Sequence, residues 1–454
     1  MATAVNPATG EVIARYPDTS PSEVRAALGA AQSAFAEWRD AGYPARARRL
    51  EAAAALFRTR AADLARLMAL EMGKPVTAGL AEVEKCAWAC EHYAGHAEAY
   101  LADREVATEA DRSFVTCRPL GVVLAVMPWN FPCWQVVRFA APALMAGNVV
   151  LLKHASNVPG CALALEDLFR AAGLPAGAFR ALLLGSESVR ALVRDRRVAA
   201  VTLTGSTRAG RSVGRAAGDR LKKVVLELGG SDPYVVLEDA DLDLAARTCA
   251  ASRLTNSGQS CIAAKRFIVA TRVLADFEER FLERMRAARL GDPLDPATEV
   301  GPQARADLRD ELHGQVVRTL ARGARLRLGG TVPPGPGAFY PPTVVSGVSR
   351  GMPAAREELF GPVAAIIPAA TEAAALRAAN SSPFGLGAAI FSRDVARATE
   401  LAARSLEAGT CAVNTMVRSD PRLPFGGIRE SGHGRELGPE GIREFVNIKT
   451  VWVA

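Results

Sequence analysis

No apolar run in these 454 residues approaches the ~18 needed to cross a bilayer. The opening Met1-Ala2-Thr3-Ala4-Val5-Asn6 also lacks the basic and apolar regions of an export signal. The expectation is a cytoplasmic protein with no membrane partner. Cysteine is sparse: the chain has 8, none in a CxxC pair, which excludes a disulfide framework and a zinc ribbon. There is no strand–GxGxxG–helix fingerprint either; Gly432-His433-Gly434 and Gly438 follow a loop and do not count as one. No internal repeat occurs. Nor is there a block of one charge: the net charge is +7, but Lys and Arg are spread along the chain with Asp and Glu between them. No nucleic-acid partner is expected, whereas a mildly positive field suits anionic small ligands.

What is present is ordinary for a globular protein, 49% hydrophobic and 23% charged, and too long for one compact core. Residues 21–104 carry apolar positions at helical spacing, such as Leu50, Ala54 and Phe57, and one helix closes at Gly73-Lys74-Pro75. Cys86, Cys90, His92 and His96 fall within one helix. At about 100° per residue the two cysteines share a face and the histidines point away, so they read as core residues, with no metal site. From Gly121, short apolar runs (Val122–Val126, Val149–Leu152, Ala181–Leu184, Ala199–Leu203, Val224–Leu226) alternate with helical segments. That alternation predicts a Rossmann-like parallel sheet covered on both faces. A second α/β unit follows Gly230, with strands near Tyr234–Leu237, Phe267–Val269, Ala364–Ile367 and Gly387–Phe391.

Three segments carry chemistry. Cys261 ends the small-residue loop Asn256-Ser257-Gly258-Gln259-Ser260, Glu227 precedes Leu228-Gly229-Gly230, and Asn130 lies in Pro128-Trp129-Asn130-Phe131-Pro132. A reachable thiol, a carboxylate base and a neutral amide suit covalent thiol catalysis. Taken singly, the cysteine reads sooner as an inert buried thiol and the glutamate as a charge ending a strand; it is their joint appearance that reverses this. For phosphate binding, Val201-Thr202-Leu203-Thr204-Gly205-Ser206 runs from a strand through a glycine turn to a helix N-terminus, and Lys153 ends another strand.

Together and in this order, the segments resemble the NAD(P)-dependent aldehyde dehydrogenase superfamily, from Asn6-Pro7 to the C-terminus. The tail Pro424-Phe425-Gly426-Gly427 through Gly438 is similar to the short bacterial succinate-semialdehyde dehydrogenases. The resemblance implies an α/β fold with a Rossmann-like cofactor domain (1–112 and 126–228), an α/β catalytic domain (229–412), and a β oligomerisation arm with C-terminal segment (113–125 and 413–454). It implies a homodimer or dimer of dimers. It assigns Cys261 as nucleophile, Glu227 as the base for thioester hydrolysis, and Asn130 as oxyanion donor. Relatives that pass the acyl group to coenzyme A lack that glutamate. Met127, Pro128, Trp129, Lys153, Ser156, Gly205, Ser206, Ala209, Leu228, Glu358 and Phe360 fall at cofactor positions. Ser156, where a carboxylate would repel a 2′-phosphate, favours NADP, with NAD possible. Arg138, Ser419, Arg418 and Phe425 fall at substrate positions and point to a carboxylated aldehyde, succinate semialdehyde first. One departure is Thr255, where some members carry a further arginine. Cys261 is followed by Ile262-Ala263, so the second thiol that some relatives use for a redox disulfide is missing. Other small aldehydes such as lactaldehyde or glutarate semialdehyde, or a catalytically silent protein of the same fold, are the competing expectations.

Overall fold

The computed structural model describes all 454 residues. Its N-terminal half is organised by a six-stranded sheet in the order Gly432–His433, Lys223–Glu227, Val198–Thr204, Val122–Val126, Val149–Lys153, Phe179–Ala181. The five strands between Val122 and Glu227 are parallel, and in chain order they stand third to first and then fourth and fifth, the doubly wound arrangement with its reversal beside Val122–Val126. The strands are near-continuous apolar runs because helices cover both faces; every residue of Val149–Lys153 is buried. Phe179–Ala181 lies earlier than expected. In the apolar run behind it, Leu182 N–H still donates to the Leu152 carbonyl at 2.8 Å, whereas Leu183 exchanges hydrogen bonds with Thr19 at 2.9 Å in both directions.

A seven-stranded sheet, Arg325–Leu328, Thr343–Ser346, Val363–Ala369, Arg266–Ala270, Pro233–Val236, Gly387–Phe391 and Thr410–Val413, forms the second unit. A third sheet joins Val446–Val453 to Arg112–Pro119 along eight residue pairs, with Arg104–Glu105 beyond it. Two domain boundaries therefore need correction. The arm ends at Pro119, since Val122–Val126 is the central strand of the cofactor sheet, paired on both sides. The segment 413–454 is likewise not all arm: Gly432–His433 returns to pair with Glu227 and Leu226, and only Val446–Val453 joins the arm. Asn148 pins the crossing, accepting from Leu120 and Gly121 N–H at 2.9 and 3.0 Å and donating to the Phe445 carbonyl at 2.9 Å.

Four helices, Pro21–Asp40, Gly42–Thr59, Ala61–Met72 and Val76–Tyr100, pack against the first sheet. The first opens with a capping box in which Ser20 and Glu23 satisfy each other's backbone N–H groups, and the third closes at Gly73 in the left-handed conformation. In the fourth, Cys86 and Cys90 are buried in the core, while His92 and His96 stack at 4.4 Å between ring centroids. No helix is long and apolar enough to cross a membrane.

The fourth helix also fixes the segment that carries Asn130. Glu82 Oε1 accepts from the Cys133 and Trp134 N–H groups at 2.8 and 2.9 Å, capping the helix Trp134–Met145 that follows the Asn130 turn. Its other oxygen is ion-paired with Lys74, both side chains being excluded from solvent. Removing one member of such a pair leaves an uncompensated buried charge. Glu82→Leu is therefore expected to lower the unfolding free energy by about 3–5 kcal/mol, read by denaturant titration; a loss under about 1 kcal/mol would show that the pair does not anchor this segment.

Candidate active site

Cys261 is placed by a backbone feature that few sequences tolerate. Asn256, Ser257 and Gly258 lie consecutively in the left-handed region, at φ 53°, 56° and 75°. Non-glycine residues held there cost about 1–3 kcal/mol each, and asparagine is among the least penalised. Surrounding bonds hold the turn. Asn256 Nδ2 donates to the Asn130 and Gln259 carbonyls at 2.7 and 3.1 Å. Ser257 Oγ accepts from Gly301 N–H at 2.8 Å, and Gln259 Oε1 accepts from Ala304 N–H at 2.8 Å. Gly258 is obligatory twice over, since a Cβ there would sit 2.2 Å from the Gly361 backbone. Beyond the cysteine, the fully buried Lys265 ammonium donates to the carbonyls of Ser260, Cys261 and Ala263 at 2.9, 2.8 and 3.0 Å.

The thiol stands where two cavities meet. One, of about 480 Å³, is walled by Pro128, Trp129, Asn130, Gly205, Ser206, Leu228, Glu358 and Phe360, and also by Cys261 and Gln135. The other, of about 560 Å³, also reaches Cys261 and Gln135 and is walled by Lys85, Trp134, Arg138, Arg418, Ser419 and Phe425. Asn130 Nδ2 donates to the Gln259 carbonyl at 3.1 Å, which leaves its second amide hydrogen for an oxyanion. Glu227 ends its strand 2% exposed, and neither carboxylate oxygen has a partner in the chain. Gly426 leaves room for it, since a Cβ there would come within 2.7 Å of Glu227 Oε1.

Burial dominates the electrostatics. It raises the Glu227 carboxyl well above the usual range, against the opposing pull of Arg138. Burial also pushes the Cys261 thiol up to about 12, with Arg138 and Lys265 drawing it back.

The wider cofactor assignments divide by position. Lys153 is buried at the end of its strand. Ser156 is exposed in the turn after that strand. With Met127 and Ala209 they lie outside the walls of the first cavity, which Thr207, Arg208, Glu311 and Gln315 help to complete. A dinucleotide fits what is there. Ser206 caps the helix Thr207–Gly218, whose first N–H groups suit a phosphate. Trp129 and Phe360 stand edge to face at 5.6 Å. Glu358 accepts from Gly230 N–H at 2.9 Å; a Cβ on Gly229 would press to 2.4 Å of its other oxygen, so the carboxylate reaches the wall only beside glycine.

Residues 2–451 match the aldehyde dehydrogenase family. This chain belongs to that family. The NADP(+) succinate-semialdehyde dehydrogenase 1 of Mycobacterium tuberculosis is 50% identical over 453 residues, 99% of each chain. The succinate semialdehyde dehydrogenase of Escherichia coli K12, named for NAD(P)+, is 48% identical over 451 residues, 99% of this chain and 97% of the other. Among solved structures, a succinic semialdehyde dehydrogenase from Streptococcus pyogenes in complex with NADP+ superposes with a TM-score of 0.97 at 36% identity, covering 100% of both chains.

Within this aldehyde dehydrogenase, Arg138 differs from a free substrate anchor. Its guanidinium is already ion-paired with buried Glu436 and lies 4.7 Å over the Phe425 ring. The sequence gives no sign of this pairing, since Arg138 and Glu436 are far apart in the chain. Sequence reading also missed Lys265, Glu82 and Gln135; Gln135 sits one helical turn before Arg138 and lines both cavities. The raised thiol sets an expectation for the enzyme without cofactor. Below the thiol's pKa the reactive thiolate fraction grows about tenfold per pH unit, so alkylation of Cys261 by iodoacetamide should keep rising from pH 7 to about pH 10. A plateau near pH 8 would mean that the resting site does not raise the thiol.

Proposed function

We propose that this enzyme oxidises succinate semialdehyde to succinate, with NADP preferred. The observation that carries the reading is the second cavity: it joins the nucleophile to a wall bearing Lys85, Arg138, Arg418 and the Ser419 hydroxyl, an environment that suits a carboxylate at the far end of a short aldehyde. The names of the similar proteins agree with it.

Cys261 gives up its thiol proton to Glu227, which releases it to solvent, and Sγ attacks the aldehyde carbon. The resulting oxyanion is held by the free Asn130 amide hydrogen and the Cys261 backbone N–H, donors whose loss typically costs ~100- to 1000-fold in rate. The bound nicotinamide supplies the hydride acceptor. Collapse of the thiohemiacetal leaves a thioester on Cys261. Glu227 then takes a proton from water, the hydroxyl oxygen adds to the thioester carbon, the C–S bond breaks, and succinate leaves with the thiol restored. Desolvation of Glu227 serves this step, because a carboxylate stripped of hydrogen bonds is a stronger base.

NADP preference rests on Lys153 and on Ser156, where no carboxylate opposes a 2′-phosphate, and on Arg190, Arg208, Arg211 and Arg215 gathered beside the cofactor cleft. A second copy of the chain is the expected partner. The arm sheet leaves Ile448 and Trp452 61% and 57% exposed, apolar edge surface that a subunit interface would cover. The eight free thiols suit a reducing cytoplasm.

A panel of kcat/KM values tests the reading. Succinate semialdehyde should exceed glutarate semialdehyde, one methylene longer, by about 10-fold or more, and lactaldehyde likewise. NADP+ should exceed NAD+, and Ser156→Glu should reduce the NADP+ value roughly 10- to 100-fold. A higher value for lactaldehyde, or an NAD+ preference unmoved by Ser156→Glu, would refute the substrate or the cofactor reading respectively.

A further inference from the structure

We infer that Lys85 is a specificity-determining residue, its ammonium acting with Arg138 and Ser419 as the receptor for the substrate's carboxylate; the inference rests on the reading of the substrate as a carboxylated aldehyde. Lys85 lies on the helix Val76–Tyr100 and faces the second cavity, the one that reaches Cys261. Its ammonium donates to Ser419 Oγ at 2.7 Å and stands 4.3 Å from the centre of the Trp134 ring. Lys85 is half-buried at the cavity wall, where an ammonium gains most from a carboxylate partner, and no carboxylate bonds to it. The two acidic residues that act on it from a distance are both committed elsewhere: Asp420 accepts from the Arg422 guanidinium at 2.9 and 2.7 Å, and Glu82 is ion-paired with Lys74. Arg138, a cation lining the same cavity, pushes the other way. Burial first, and Arg138 second, bring the Lys85 ammonium down to about 8.

Two like charges converging on one cavity are costly until an anion comes between them. Arg138 alone is a poor anchor, since Glu436 already balances it. Lys85 carries the unbalanced charge, and Ser419, oriented by its bond from Lys85, adds a hydroxyl donor to the same pocket. An uncharged aldehyde gains nothing from this arrangement, so the residue acts on selectivity and on binding more than on the chemical step.

The test compares succinate semialdehyde with butanal, which has the same four carbons and no charge, in wild type, Lys85→Met and Lys85→Arg. A charge-assisted hydrogen bond of this kind corresponds to roughly 10- to 100-fold in affinity. The ratio of kcat/KM for succinate semialdehyde over butanal is expected to fall by that factor in Lys85→Met, through KM and not kcat, and to be largely restored in Lys85→Arg. A ratio unchanged in Lys85→Met overturns the assignment, including where both activities fall together in Lys85→Met and in Lys85→Gln alike. A wild-type enzyme with no preference for succinate semialdehyde over butanal would instead refute the substrate reading itself.

Discussion

The left-handed turn at Asn256, Ser257 and Gly258 is the constraint on which the site depends. It carries the chain sharply out of the helix Leu242–Leu254 and delivers Cys261 to the point where the two cavities meet. Such a turn persists only when its surroundings over-determine it. Here they do, through Asn256 to the Asn130 segment, Ser257 and Gln259 to residues 301–304, and Lys265 gathering three carbonyls beneath the cysteine. The same bond from Asn256 couples the Cys261 loop to the Asn130 turn, so the two are positioned together although they are far apart in the chain.

Around that point the protein keeps charge out of water and distributes its partners unevenly. Lys74 and Glu82 neutralise each other and hold the Asn130 helix; Arg138 and Glu436 do the same beside Glu227. Glu227 is left without a hydrogen bond, and burial raises its affinity for a proton. One carboxylate is thus left unpaired beside two neutralised pairs, and its burial raises its hold on a proton. The C-terminal segment is part of this setting: Gly432–His433 pairs beside Glu227, Gly426 makes room for it, and Glu436 holds Arg138.

Much of this was legible in the sequence, for physical reasons that also mark its limits. Val122–Val126 and Gly387–Phe391 lie where the pattern placed them because central parallel strands must be apolar throughout. Arg325–Leu328 was missed because an edge strand leaves Arg325 and Arg327 in solvent and breaks the pattern. Cys261, Glu227 and Asn130 stood out through their motifs. Their supports, Lys265, Glu82 and Glu436, look like ordinary charged residues, and their pairings cross long stretches of chain that no local periodicity reports. Arg138 shows the same limit: its type and the resemblance suggested an anchor, but its partner Glu436 became visible only in three dimensions.

The central claim is that Cys261 becomes acylated and that Glu227 readies the water that frees it. Intact-mass and peptide mass spectrometry of Glu227→Gln enzyme, mixed with succinate semialdehyde and NADP+ and quenched in acid, tests it most directly. A succinyl adduct on Cys261 that accumulates in the variant and is absent from Cys261→Ala is the expected result. NADPH formation without any adduct at residue 261 would contradict it.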